Sequence, residues 1–318
     1  MIPEEKYQLK GITSYIAYPK GNLKSAILEE YNEIMWKDVK LVPRYGAPDE
    51  RKKETKAISF YESGALKSIT LENQTKIPTS LGGIDAELLT FYETGEIDSI
   101  FPRNGQIGFG WSVEDEEQLL EKVDFYTGAG KFAVKIIGLR FYENSALKSI
   151  ILWPKESIEL NTPIGVLPVR IGVRFYENGA LESFEPAKPL SLNTKIGTII
   201  AFDQHAIGMD ADYNSVRFNS EGELSCLCTN SDIVVINDEN KNRTVIYQQL
   251  KLDLMTNELV KVPTVITFEK NEIIIDNCAK KMVFNLKNSR FLFLHDGAYM
   301  EKKCSPGSDC SGCGAACM

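Results

Sequence analysis

Histidine is almost missing from this chain: only His205 and His295 occur in 318 residues, and neither has a second histidine spaced to form a metal pair or a proton relay. The commonest general base and metal ligand is therefore scarce. The 44 acidic residues are spread so evenly that no acid and base can be singled out, which leans the reading away from an enzyme without excluding one. Also missing is any basic run. With 36 Lys and Arg against 44 Asp and Glu, the net charge is -8, and nothing neutralises a row of phosphates, so nucleic acid is not expected as a partner. No stretch long enough to cross a bilayer is free of charge, and Met1-Ile2-Pro3-Glu4-Glu5-Lys6 lacks the basic start and apolar stretch of a signal peptide. The expectation is a cytoplasmic protein without a transmembrane segment. In a reducing compartment the seven cysteines are expected to be reduced, metal-bound or redox-active rather than a disulfide framework.

What the chain does have is a 43% apolar composition, enough for a substantial core, and an internal repeat. Ser59-Phe60-Tyr61-Glu62-Ser63-Gly64-Ala65-Leu66-Lys67-Ser68-Ile69 returns at 90–100, at 140–150 and at 174–184. Looser copies start at Tyr18 and Phe218. Aromatic and β-branched residues flanking a Ser-Gly, Thr-Gly or Asn-Gly pair predict a β-hairpin, because glycine supplies the positive φ of a tight turn. At Ser145 that glycine is replaced, so this copy is expected to turn differently or to carry strain. A two-residue loop and a three-residue loop with a bulge put Phe and Tyr on opposite faces, and both fit the residues. Aromatics recurring with the repeat are expected to form its core and a ladder on the solvent side, although Phe-Tyr pairs can also stack a ligand.

A second motif lies between the hairpins: Leu160-Asn161-Thr162-Pro163-Ile164-Gly165, Leu192-Asn193-Thr194-Lys195-Ile196-Gly197, and more loosely Ile77 to Ile84. Ser112 to Val123 starts with a capping serine, is acidic in its first turn, and predicts a short helix. Past Cys228 the β-branched runs at 233–236, 244–247, 264–268 and 273–275, and Arg290 to His295, predict further strands, either a cap on the array or a separate small domain.

The repeat resembles the bacterial MORN-type repeats, whose units carry a similar Phe-Tyr-x-Asn-Gly-x-Leu-Lys hairpin, over residues 15 to 228. That resemblance implies an all-β, elongated array of stacked β-hairpins, MORN-like or β-solenoid-like, working through partner or membrane-surface contact more than through catalysis. The expected organisation is a hairpin array at 1–228, a β-rich C-terminal cap at 229–300 and a flexible Cys-rich tail at 301–318.

Four of the seven cysteines, Cys304, Cys310, Cys313 and Cys317, fall among small Gly, Ser and Ala residues that cannot pack a core. Such spacing lets sulfurs converge, as Zn²⁺ or an iron–sulfur cluster requires. Cys310, Cys313 and Cys317 resemble the end of the bacterial ferredoxin run, with a gap of five residues before them and Met318 where that run has proline. The alternatives are a redox-active or disulfide-bonded tail, or a peptide that a modifying enzyme acts on. Cys226 and Cys228 share one face of a strand, as core residues or as an extension of a metal site. Cys278 is expected to be structural. Asp210, Asp212, Asn214 and Glu221 match some calcium-loop positions, but Ser215 stands where that loop needs glycine. The expected function is a non-enzymatic scaffold presenting the four-cysteine tail to a protein partner. Two other classes remain open: a precursor whose tail is modified, and an enzyme whose thiols are those of the tail.

Overall fold

The computed structural model describes residues 7–206, 214–237, 241–253 and 257–294. It is almost entirely antiparallel β. The first part contains β1 (Ile12–Ala17), β2 (Leu23–Leu28), β3 (Ile34–Trp36), β4 (Val39–Leu41), β5 (Ile58–Phe60), β6 (Leu66–Thr79), β7 (Gly82–Phe91) and β8 (Ile97–Phe101). After helix α1 (Val113–Gln118) come β9 (Val123–Thr127), β10 (Gly130–Val134), β11 (Ile136–Phe141), β12 (Leu147–Leu152), β13 (Ser157–Thr162), β14 (Gly165–Phe175) and β15 (Leu181–Pro186). Then follow β16 (Leu190–Thr194), β17 (Gly197–Ala201), β18 (Val216–Phe218), β19 (Leu224–Thr229), β20 (Asp232–Asn237) and β21 (Arg243–Ile246). The last are β22 (Gln249–Asp253), β23 (Glu258–Val262), β24 (Thr264–Phe268), β25 (Glu272–Asp276), β26 (Lys281–Asn285) and β27 (Ser289–Leu294).

One 16-stranded sheet runs β1-β2-β5-β6-β7-β8-β11-β12-β14-β15-β18-β19-β24-β25-β26, with β13 added on β14. At the usual strand spacing it extends about 70 Å. Six hairpins of this sheet are the sequence repeat. In each, the Tyr (or Asn219) amide bonds the carbonyl four residues on, and the residue at the glycine position donates back to the Tyr carbonyl, as Tyr61 N to Ala65 O at 2.8 Å and Gly64 N to Tyr61 O at 3.0 Å. This is the three-residue loop, followed by a bulge that recurs at the same place in every copy, for example between Ser59 and Phe60. Of the two registers open in the sequence, this one buries Phe and leaves Tyr half-exposed. Ser145 makes the same turn as its glycine counterparts, with φ at +66°, so the strain is there and the different turn is not.

One face of the sheet is the core. Ala26, Ile58, Ile69, Leu89, Ile100, Leu139, Ile150, Val173, Phe184, Val216, Leu227, Ile266 and Ile275 pair across thirteen consecutive strands, each at most 1% exposed. Phe60, Phe91, Phe141, Phe175 and Phe218 join the same cluster. The second motif supplies hairpins that pack against it. In each, a threonine hydroxyl donates to the carbonyl of a positive-φ glycine three residues later: Thr79 to Gly82, Thr162 to Gly165 and Thr194 to Gly197. Thr127 to Gly130 is a fourth instance, not apparent from the sequence.

Helix α1 is shorter than the sequence suggests, although the Ser112–Asp115 capping box is present. Strands β24, β25 and β26 extend the main sheet beyond the repeats, whereas β21-β20-β27 form a separate three-stranded sheet. Among the described residues no helix is long and apolar enough to cross a membrane.

Candidate functional site

Opposite the core face, the same strands present a row of polar side chains. Across the sheet run Ser25, Ser59, Ser68, Thr90, Ser99, Arg140, Ser149, Arg174, Ser183, Arg217 and Cys226. The repeat tyrosines line this face. Each phenol donates to the backbone carbonyl of the phenylalanine in the next copy: Tyr18 to Phe60 at 3.0 Å, Tyr61 to Phe91, Tyr92 to Phe141 and Tyr176 to Phe218 at 2.8 Å, and Tyr142 to Phe175 at 2.9 Å. Burial holds the Tyr61, Tyr92, Tyr142 and Tyr176 phenols above their ordinary pKa, so they stay protonated as donors.

The residue after the repeat leucine sits at the bulge and decorates this face. Lys24, Lys67 and Lys148 place their ammonium groups 5.6, 5.2 and 5.4 Å from the ring centroids of Tyr18, Tyr61 and Tyr142. In the fourth full copy Glu182 takes that place and bonds Arg174 Nε at 2.6 Å. Burial, then the nearby Arg140 and Arg174 charges, hold Lys148 below the usual lysine pKa. The arginines that precede Phe in the later copies were visible in the sequence. Their alignment into one row followed only from the register.

Two buried carboxylate clusters lie elsewhere. Glu87 and Glu116, each with a side chain 4% exposed, share Arg51, which gives 2.7 Å contacts to both. Arg103 and the Asn104 amide add to Glu87, and the Gly105 amide and Trp111 indole to Glu116. Burial works to raise the Glu116 pKa, but Arg51, Trp111 and Gly105 outweigh it and hold the carboxyl below the usual range. Every donor there is committed to tying the loops around residues 51 and 104 to the sheet. Glu185 differs. It is fully buried, accepts the Asp203 and Ser215 amides at 3.1 and 2.8 Å, and burial outweighs those bonds and Arg170 to push its pKa up to about 7.

The sequence-predicted ligands Cys304, Cys310, Cys313 and Cys317 lie outside the described residues, as do His295, Asp210 and Asp212. Cys226 and Cys228 are free and buried on the face opposite the core, and desolvation raises both thiol pKa values. Cys278 is exposed in the turn between β25 and β26 rather than packed inside. Asn214 is turned inward and bonds Ser183, while Glu221 is exposed in a hairpin turn beside Ser220, so the calcium-loop residues that are described serve the hairpins. His205 is exposed. Among the described residues no group of three or more His, Cys, Asp or Glu is arranged to hold a metal ion. Compared with protein families, characterised proteins and solved structures, the chain matches none significantly.

Proposed function

We propose that this chain is a non-enzymatic repeat scaffold that presents Cys304, Cys310, Cys313 and Cys317 to a partner protein as a metal- or iron–sulfur-binding segment. The observation that carries the reading is where reactive groups are tied up. The described buried thiols are desolvated, with raised pKa values, and the Glu87–Glu116 pair is saturated by Arg51, Arg103, Trp111 and backbone amides. Thiols set among Gly, Ser and Ala have few apolar sequence neighbours to pack with, and convergent thiolates are what Zn²⁺ or a cluster takes as ligands. The resemblance to MORN-type repeats points the same way, toward contact with a partner across the hairpin array.

The test is elemental analysis and visible absorption of the anaerobically purified full chain beside a variant with all four tail cysteines changed to serine. Stoichiometric metal that is lost in the variant, with an unchanged far-ultraviolet CD spectrum, supports the reading. Equal, trace metal in both chains refutes it. A mass shift confined to residues 304–318 replaces it with the modified-precursor reading.

A further inference from the structure

The third full repeat breaks the rule the others keep. Gly64, Gly95 and Gly179 occupy the left-handed turn position with nothing within 4 Å of where a side chain would begin. At that position Ser145 holds φ +66°, a cost a glycine would avoid. Its hydroxyl reaches Glu96 Oε2 at 3.3 Å, and its carbonyl accepts the Ser80 hydroxyl at 2.9 Å. A second left-handed residue, Lys37 at φ +50°, donates to the same Glu96 oxygen at 2.8 Å. Two strained residues thus converge on one carboxylate that lines a cleft of about 300 Å³. Such convergence marks sites where local geometry is held for a purpose.

The cleft has two kinds of wall. Trp36, pinned by its indole N–H on the Gly95 carbonyl at 2.8 Å, is largely buried with Ile97 and Phe141, and the Lys37 ammonium lies 4.9 Å over its ring, so the apolar side open to the cleft is Pro78 and what remains exposed of Trp36. Lys37, Glu96 and Ser145 form the polar side. The two charges cancel, so an anion meets Glu96 and a cation meets Lys37. Their hydrogen-bonding capacity is not exhausted by one shared oxygen: a carboxylate offers about four lone-pair positions and an ammonium three protons. A small apolar patch beside a neutral edge rich in donors and acceptors suits a molecule with one apolar face and hydroxyls around its rim. The volume lies at the small end of ligand clefts.

We propose that this cleft binds a neutral, polyhydroxylated ring of monosaccharide size, laid against Pro78 and the exposed part of Trp36 with its hydroxyls on Glu96, Lys37 and Ser145. The inference stands independently of the tail. The test is titration of the full chain with glucose, galactose, mannose and N-acetylglucosamine, together with the charged glucosamine and glucuronic acid, reading heat and the Trp36 indole N–H resonance. At least one neutral sugar is expected to saturate and to shift that resonance. Ser145→Gly and Glu96→Gln, which leave the apolar wall in place, are each expected to weaken it about tenfold, the size of one lost hydrogen bond. Far-ultraviolet CD confirms that both variants fold. Saturation by no neutral sugar at millimolar concentration overturns the proposal. So does tighter binding of a charged counterpart, or unchanged affinity in both variants.

Discussion

The Tyr61 hydroxyl donates to the Phe91 carbonyl at 2.8 Å, reaching from one hairpin to the same position in the next. The bond joins copies rather than strands, since the sheet ladder already pairs β6 with β7. In a repeat array stability is close to a sum of unit and neighbour terms, and this bond belongs to the neighbour term. Tyr61→Phe keeps the ring and leaves a part-buried carbonyl without its donor, so a loss of about 1 kcal/mol is expected. Tyr126, 69% exposed and outside the ladder, provides the control: Tyr126→Phe should not move the urea midpoint. Equal midpoints for both variants would remove the ladder from any account of how the copies are coupled.

Arg51 is the common partner of Glu87 and Glu116. Arg51→Met leaves two buried carboxylates short of their shared cation, and breaking such an arrangement costs roughly 3–5 kcal/mol. Because the pair also accepts from Asn104, Gly105 and Trp111, the loops around residues 51 and 104 should loosen first. Amide exchange would show this as lost protection there, with protection in β11 and β12 retained. Uniform loss across the sheet would instead mean that the cluster supports the whole core.

How far the fold could be read ahead of the structure depends on how local each signal is. The hairpin repeat is local: Tyr, two polar residues and Gly specify a turn within four positions, and all six copies make it, even where Pro19 takes a polar place, Ser145 the glycine's or Asn219 the tyrosine's. The choice between two- and three-residue loops was not local, because only pairing with neighbouring strands decides which face Phe60 joins. The turn from Thr127 to Gly130 has no such signature, because Gly128 and Ala129 replace the more distinctive residues of its sister turns, though the Thr hydroxyl makes the same bonds. The Arg51 cluster joins residues 36 and 65 positions apart through irregular loops, where no periodicity can announce a contact. The tyrosine ladder was half legible: the recurrence pointed to a solvent-side ladder, but its acceptors are main-chain carbonyls that no side-chain pattern encodes.

Glu185 makes stability depend on pH in a direction opposite to most carboxylates. Its folded pKa is raised to about 7, so the native state keeps a proton that the unfolded chain gives up near the ordinary carboxylate value. Stability from this group is complete below the unfolded pKa and declines as pH rises toward 7, by roughly 3 kcal/mol in total. The groups facing it are Arg170 on β14, Asp203 after β17 and Cys228 on β19. Glu185→Gln cannot titrate. The stability of the wild type relative to this variant should therefore be greater at pH 5 than at pH 7.5. A difference that is the same at both values would show that Glu185 is ionised throughout, held by its two amide donors.

Gly64 and Ser145 occupy the same turn position and should respond to exchange in opposite senses. Both residues are left-handed, at φ +83° and +66°. Nothing lies within 4 Å of a side chain built on Gly64, so Gly64→Ala meets no clash and its whole cost is conformational, about 1 kcal/mol. Ser145→Gly relieves the same strain but gives up the bond to Glu96 at 3.3 Å, which is long and exchangeable for water. Relief should exceed loss, and the variant is expected to be more stable by a few tenths of a kcal/mol up to about 1 kcal/mol. Thermal unfolding of both variants beside the wild type reads the two signs in one experiment. If Ser145→Gly is destabilising, the Glu96 contact outweighs the backbone strain, and the serine is kept for the fold rather than for the cleft.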